Sequence, residues 1–195
     1  MPTIEPVAGP RLGSVPRTAA QSRVLAAALE LFAARGVSGT SLQMIADAIG
    51  VTKAAVYHQF KTKDEIVLAV AERGLAEFEE ALEAAEAEDD RPRAREMLLT
   101  EVIDLAVRRR GLVGTLQNDP VIVRFLAEHE PFQQLINRMY CVLIGVETGP
   151  EARVPAAMLS AAIGGAVVHP LVADVDDDTL RFHLLRLTSR LIDLP

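Results

Sequence analysis

Residues 41–60 read SLQMIADAIGVTKAAVYHQF, and this stretch decides the fold. Thr40 or Ser41 can cap the helix that begins here, and Gln43 stands where it completes a capping box with Thr40. Met44, Ile45, Ala48 and Ile49 repeat with helical period before Gly50, so this helix is barely two turns long. Gly50 can take the left-handed backbone that a tight turn needs, and Thr52 caps a second short helix over Lys53–Gln59. Ala46 is small enough for the two helices to approach closely, while Ile45, Ile49, Val51 and Val56 supply the faces that hold them crossed. The pattern predicts a helix-turn-helix, in which the second helix enters the major groove and the first crosses the phosphate backbone. Lys53, Ala54, Ala55 and His58 are then expected to face bases or flanking phosphates.

Working outward, Leu25, Ala28, Leu29 and Phe32 form one helical stripe that Gly36 closes. Thr62-Lys63-Asp64-Glu65 reads as a capping box with its acids in the first turn of a long helix running to about residue 86. After a break at 89–92, helices are expected over 93–110, ending at Gly111, then over 121–128 and 132–147, separated by Pro131. Gly149-Pro150 breaks the chain again, residues 151–168 are rich in Ala, Gly and Ser, and Asp176, Asp177 and Asp178 open a last helix to Asp193. Nothing alternates with strand period. The expectation is all-α, about nine helices, divided into a flexible arm (1–16), a helix-turn-helix domain (17–63) and a larger helical domain (64–195).

Composition agrees with that division. Half of the residues are apolar, with no Trp and few other aromatics, so the interior must be aliphatic, a diet suited to helices. Residues 11–63 hold seven basic groups (Arg11, Arg17, Arg23, Arg35, Lys53, Lys61, Lys63) against Glu30 and Asp47. This leaves +5 there and −12 on the rest of a chain whose formal charge is −7, so a polyanion should meet the N-terminal quarter and be repelled elsewhere. Cys141 has no partner for an internal disulfide, which fits a reducing compartment, and the cytoplasm is expected. The opening residues, with Pro2, Pro6, Pro10 and Pro16, do not read as a signal peptide, and the apolar stretch 154–173 is interrupted by Pro155 and two glycines, so no membrane span is expected. His129, His169 and His183 are scattered, no phosphate loop or nucleophile elbow is present, and Arg108-Arg109-Arg110 most simply complements a helix C-terminus. Neither an enzyme nor a metal or cofactor site is expected.

The order Leu29-x-x-Phe32-x-x-x-Gly36, Thr40-Ser41-x-x-x-Ile45-Ala46-x-x-x-Gly50-Val51-Thr52-Lys53-x-x-x-Tyr57-His58-x-Phe60-Lys61-Thr62-Lys63-x-Glu65 resembles the N-terminal domain of the tetracycline-repressor family over roughly residues 20–70. The resemblance implies an all-α homodimer of nine or ten helices that represses transcription and leaves DNA on binding a small molecule. It implies backbone and base contacts for Ser41 and Gln43, base contacts for Lys53, Ala54 and Ala55, phosphate contacts for Tyr57 and His58, and a contact for Lys63 from the start of the fourth helix. Thr52 and Lys61 complete the expected DNA surface. Gln59 departs from the family, which often has an aromatic or His there, and two alanines leave the recognition helix few donors. Base reading then leans on Lys53 and Gln43, with alanine methyls against thymine methyls. Phe60 is expected in the core, and Tyr57 to pack its ring while offering its hydroxyl to phosphate. Each lysine alone reads as a solvated side chain; three within eleven acid-poor positions, beside a helix-turn-helix, read as a DNA face.

In the C-terminal part, Leu180, Leu184, Leu187, Leu191 and Leu194 make one stripe, with Leu185, Thr188 and Ile192 beside it. The preceding helix carries Ser160, Ala161, Gly164, Gly165 and Val168, and two interior glycines cost about 1 kcal/mol each relative to alanine, which close helix approach explains. These two helices look like the family's four-helix dimer interface, the alternative being internal core helices. A small-molecule pocket is expected within residues 93–147, with Leu98, Val102, Leu116, Phe125, Phe132, Ile136, Met139 and Tyr140 as its lining and an apolar ligand. The functional expectation is a homodimeric repressor released from a two-fold symmetric operator by a small apolar molecule. An architectural or ligand-independent DNA-binding protein is the alternative.

Overall fold

The protein, seen in a computed structural model, is described over residues 16–145 and 150–192, with residues 115–118, 121, 125, 126 and 150–153 described in backbone only. The arm before Pro16, and Glu147, Gly149, Asp193 and Leu194, lie outside the described residues. Helix α1 (Ala19–Arg35) begins in a capping box: the Thr18 hydroxyl accepts from the Gln21 N–H, and the Gln21 side chain accepts from the Thr18 N–H. Its end is Gly36, whose N–H donates to the Phe32 carbonyl. Helices α2 (Leu42–Ala48) and α3 (Lys53–Gln59) follow, with Gly50 between them at φ +68°, a left-handed value that favours glycine. Ser41 caps α2 by accepting from Met44 N–H. The expected Thr40–Gln43 box is not formed: the Thr40 hydroxyl donates back to Gly36 O at 2.9 Å, and the Gln43 amide donates to Asp47. Thr62 caps α4 (Lys63–Glu86), but the Glu65 carboxylate reaches one residue further back than a capping box requires, accepting from Lys61 N–H at 2.8 Å.

The remainder is α5 (Arg91–Arg108), α6 (Arg110–Asn118), α7 (Pro120–Glu128), α8 (Glu130–Ile144), α9 (Pro150–Val167), a short 3-10 turn (Pro170–Val172) and α10 (Asp177–Ile192). The fold is all-α, with no strand among the described residues, and it has ten α-helices there instead of nine. The additional one is α6. Gly111 does not stop the chain; α5 closes at Arg109, and the next turn winds on because Leu112 is buried against α1 and α4. The three arginines also do more than complement a helix end. Arg108 pairs with Asp104, Arg109 with Glu77 of α4, and Arg110 with Asp177 of α10, so they bolt this corner to two other helices.

Two apolar cores result. The first gathers Val24, Leu25, Ala28 and Phe32 of α1, Ile45 and Ala46 of α2, Val56 of α3 and the front of α4 from Ile66 to Ala71. It is completed from the other part of the chain by Leu112 of α6 and Ile122 of α7, with Phe132 packed on its edge. The second is built from the rear of α4 (Phe78, Leu82, Ala85) with α5, α8, α9 and α10. Helix α4, with 24 residues, is about 36 Å long at 1.5 Å per residue and serves one core at each end. Between those ends a Cβ on Gly74 would run into the terminal methyl of Leu112, so a side chain at position 74 would oblige the Leu112 end to move. Arg138 clamps α8 to the end of α4 with two bonds to Glu86, at 3.0 and 2.6 Å.

Candidate DNA interface and effector cavity

The α2–α3 pair rests on buried Ile45, Ala46, Val56 and Phe60, so its outer surface is held by packing from behind. Arg23 of α1 reinforces it by donating to Ile49 O at the end of α2, and Val51 N–H returns to Ala46 O across the turn. Thr52 caps α3 by accepting from Ala55 N–H. Ser41, Gln43, Thr52, Lys53, Ala54, Ala55, Tyr57, His58 and Lys61 are all exposed, so nine of the ten residues expected on the DNA face are on the surface. Tyr57 is half exposed and its ring lies under the Lys61 ammonium, 5.3 Å from the centroid, while Phe60 is core. Lys63 differs: its ammonium donates to Val37 O at 3.0 Å and Thr40 O at 3.3 Å, closing the α1–α2 turn, and it is partly buried.

That turn is held from its other side as well. Asp119, at the start of α7 and buried, accepts a hydrogen bond of 2.6 Å from Val37 N–H. The α1–α2 turn is therefore gripped through one amide and one carbonyl of the same residue, by α7 and by α4. No sequence signal pointed to Asp119; its partner is 82 positions away.

Within the second core lies a cavity of about 170 Å3, walled by α4, α5, α6, α8 and α9. Of the residues expected to line a pocket, Val102, Ile136, Met139 and Tyr140 do. Leu98 is fully buried in the core, Phe132 packs on the first core, and the Leu116 and Phe125 side chains lie outside the described residues. Sequence reasoning missed the walls given by α4 and α9: Leu75 and Phe78, spaced by three, and Leu159 and Ile163, spaced by four. Burial pushes the Tyr140 phenol above its ordinary value, and its side-chain hydrogen bond with Ser160 opposes that rise.

Helices α9 and α10 pair on one side of the second core. Leu184 is buried there, 7% exposed, and Leu191 is partly buried against it, while Leu187 points outward. Gly164 and Ser160 border the cavity, Ala161 is exposed, Val168 is partly buried, and a Cβ at Gly165 would meet nothing. The outward side also carries Val154, Met158 and Phe182, each more than half exposed, none of which the leucine spacing singled out. His169 accepts from Leu171 N–H to cap the 3-10 turn, and His183 stacks edge-on to Phe182. Among the described residues no group of three His, Cys, Asp or Glu is placed to hold a metal ion, and no helix is long and apolar enough to cross a membrane.

Residues 24–70 match the family model for bacterial regulatory proteins of the tetR family. The chain is 37% identical over 99 residues to the HTH-type transcriptional regulator AcrR of Shigella flexneri, which covers 48% of this chain and 46% of that protein. The curated relatives it matches are spanned over 24 to 46% of their own length. Two solved structures share the fold far more widely. One is a TetR-like transcriptional regulator from Rhodococcus sp. RHA1, with 22% identity, TM-score 0.69, and 90% of this chain and 97% of that one covered. The other is NalD of Pseudomonas aeruginosa, the secondary repressor of the MexAB-OprM multidrug efflux pump, with 26% identity, TM-score 0.65, and 88% and 95% covered.

Proposed function

Given that the chain belongs, by its N-terminal domain, to the tetR family of transcriptional regulators, we propose that it is a homodimeric repressor that leaves a two-fold symmetric operator when a small molecule occupies the cavity of its second core. The observation that carries this reading is the α2–α3 pair, packed from behind and exposing Gln43, Lys53, Tyr57, His58 and Lys61 on one small, basic part of an acidic chain. In this reading Lys53 and Gln43 read bases and Tyr57 and Lys61 hold phosphate. Lys63 then acts at one remove, by fixing the α1–α2 turn from which α2 projects.

Dimerisation is supported by the apolar outer side of α9 and α10. Val154, Met158, Phe182 and Leu187 exceed what a lone subunit has reason to expose, and Gly165 leaves open space at which a second helix can approach. Coupling is supported by the seam: α6 lines the cavity with Val113 and the first core with Leu112, and α7 holds Val37 through Asp119. A ligand that moves α6 or α7 thereby tilts the platform of α2 and α3. The cavity favours a ligand-responsive regulator over an architectural DNA-binding protein.

The test is a mobility shift on DNA flanking the protein's own gene and on a random-sequence pool, at about 150 mM salt with unrelated competitor. A discrete complex on either DNA that survives competition supports the regulator; binding that competitor abolishes on both sinks it. Met158→Glu and Leu187→Glu together should turn a dimer into a monomer in sedimentation, and a sedimentation profile they leave unchanged would remove α9 and α10 from the interface.

A further inference from the structure

The cavity also describes its guest. Its fourteen lining residues include no charged side chain, and apart from Tyr140 and Ser160 they offer hydrocarbon, a thioether and a glycine. A cavity of about 170 Å3 is close to the roughly 150 Å3 known to accept a benzene-sized molecule. A carboxylate or ammonium buried inside would lose its hydration with no countercharge in the lining, so the interior favours neutral groups. The two hydroxyls are not spread around the wall. They bond to each other, Tyr140 half-buried on α8 and Ser160 solvent-exposed on α9, and so mark the open side of the cavity.

We propose that the effector is a neutral molecule of about one ring, apolar over most of its surface and carrying a single hydroxyl or carbonyl that bonds to the Tyr140–Ser160 pair at the mouth. This rests on the reading of the cavity as the effector site. The apolar body enters between Phe78, Ile136 and Ile163, and the polar end stays beside the two hydroxyls. A phenolic or alcoholic O–H can donate to one hydroxyl and accept from the other, joining a bond that already links α8 to α9. A hydrocarbon of the same size fills the space without that bond. The anionic head of a fatty acid finds no cation to receive it.

The probes are para-cresol, toluene and para-toluate, three molecules of nearly one shape, titrated calorimetrically into the full chain. Para-cresol should bind about tenfold tighter than toluene, and para-toluate at least about a hundredfold more weakly than para-cresol. Tyr140→Phe and Ser160→Ala should each narrow the cresol–toluene gap to within about threefold. Ser160 is exposed, so its variant reports on the pair even if Tyr140→Phe disturbs packing. Equal binding of toluene and cresol, para-toluate matching cresol, or no binding of any probe at millimolar concentration overturns the proposal. A mobility shift on the same preparation separates the two readings. A specific DNA complex with no preference for cresol overturns only the effector chemistry; no specific complex overturns the regulator, while the titrations still decide what the cavity holds.

Discussion

The two cores meet the outside in opposite ways. The first is closed behind its working surface: Ile45, Ala46 and Val56 are wholly buried, and what α2 and α3 expose is polar or small apart from the Tyr57 ring. The second is indented by a partly open cavity and leaves Val154, Met158, Phe182 and Leu187 outside. A DNA-reading surface must hold side chains in one geometry, which dense packing provides. In the proposed function the second region must be able to change with its contents, and a cavity bordered by five helices is where a packed interior can do so. The contrast is local to the α2–α3 platform, because a space of about 140 Å3 also lies beside Leu25, Val70 and Leu112 of the first core, away from Ile45 and Val56.

The largest effect that could break this contrast is in core truncation. Ile45→Ala, in the dense core, should cost about 4 kcal/mol by chemical denaturation, and Ile136→Ala, on a wall already facing empty space, about 2 kcal/mol. Equal costs would mean that the second core is packed as tightly as the first. At the seam, Asp119→Ala should cost about 2 kcal/mol by orphaning the buried Val37 N–H, with most of it recovered in Asp119→Asn, which keeps an acceptor. If the Ala variant is as stable as the parent, α7 does not hold the DNA-binding domain.

The lysines sharpen the contrast within the first region. Lys63→Ala should lose about 1 kcal/mol of stability because two turn carbonyls lose their donor. Lys53→Ala should stay within about 0.5 kcal/mol while changing the preferred sequence in a binding selection. A shared stability loss would place both lysines in the scaffold. The smallest effect belongs to Tyr140. Its phenol titrates above its ordinary value of 10.0, so the folded state holds that proton longer than the unfolded chain does, and stability falls as pH rises past the unfolded value. Tyr140→Phe should make the alkaline end of a stability–pH profile shallower, and an unchanged slope would mean that the phenol is as solvated folded as unfolded.

What could be read beforehand follows the range of the interactions. The helix-turn-helix is legible because its marks are local: the Ser41, Thr52 and Thr62 caps act within three residues, and the left-handed Gly50 acts on its own turn. Helix α6 is not, since two glycines lower its propensity and what forms it is burial of Leu112 against residues far away in sequence. Arg109 and Arg110 take partners 32 and 67 positions away, and Lys63 takes carbonyls 23 and 26 positions away, so a run of basic residues says nothing about which of its members face solvent. The cavity walls were half legible. Ile136, Met139 and Tyr140 share one stripe, whereas Leu159 and Ile163 sit in a helix whose small residues drew attention to its other side.

Leu112 and Ile122 carry a lesson for anyone who would exchange C-terminal parts between proteins of this fold. A splice made where the helix-turn-helix ends in sequence, near residue 63, would cut the front of α4 from the residues it packs on and leave the platform without two of its own buried side chains. A functioning chimaera has to treat α1 to α4 together with the inward faces of α6 and α7 as one heritable module, and an exchange that keeps only the N-terminal segment should yield a hybrid that folds poorly however well its C-terminal part is chosen.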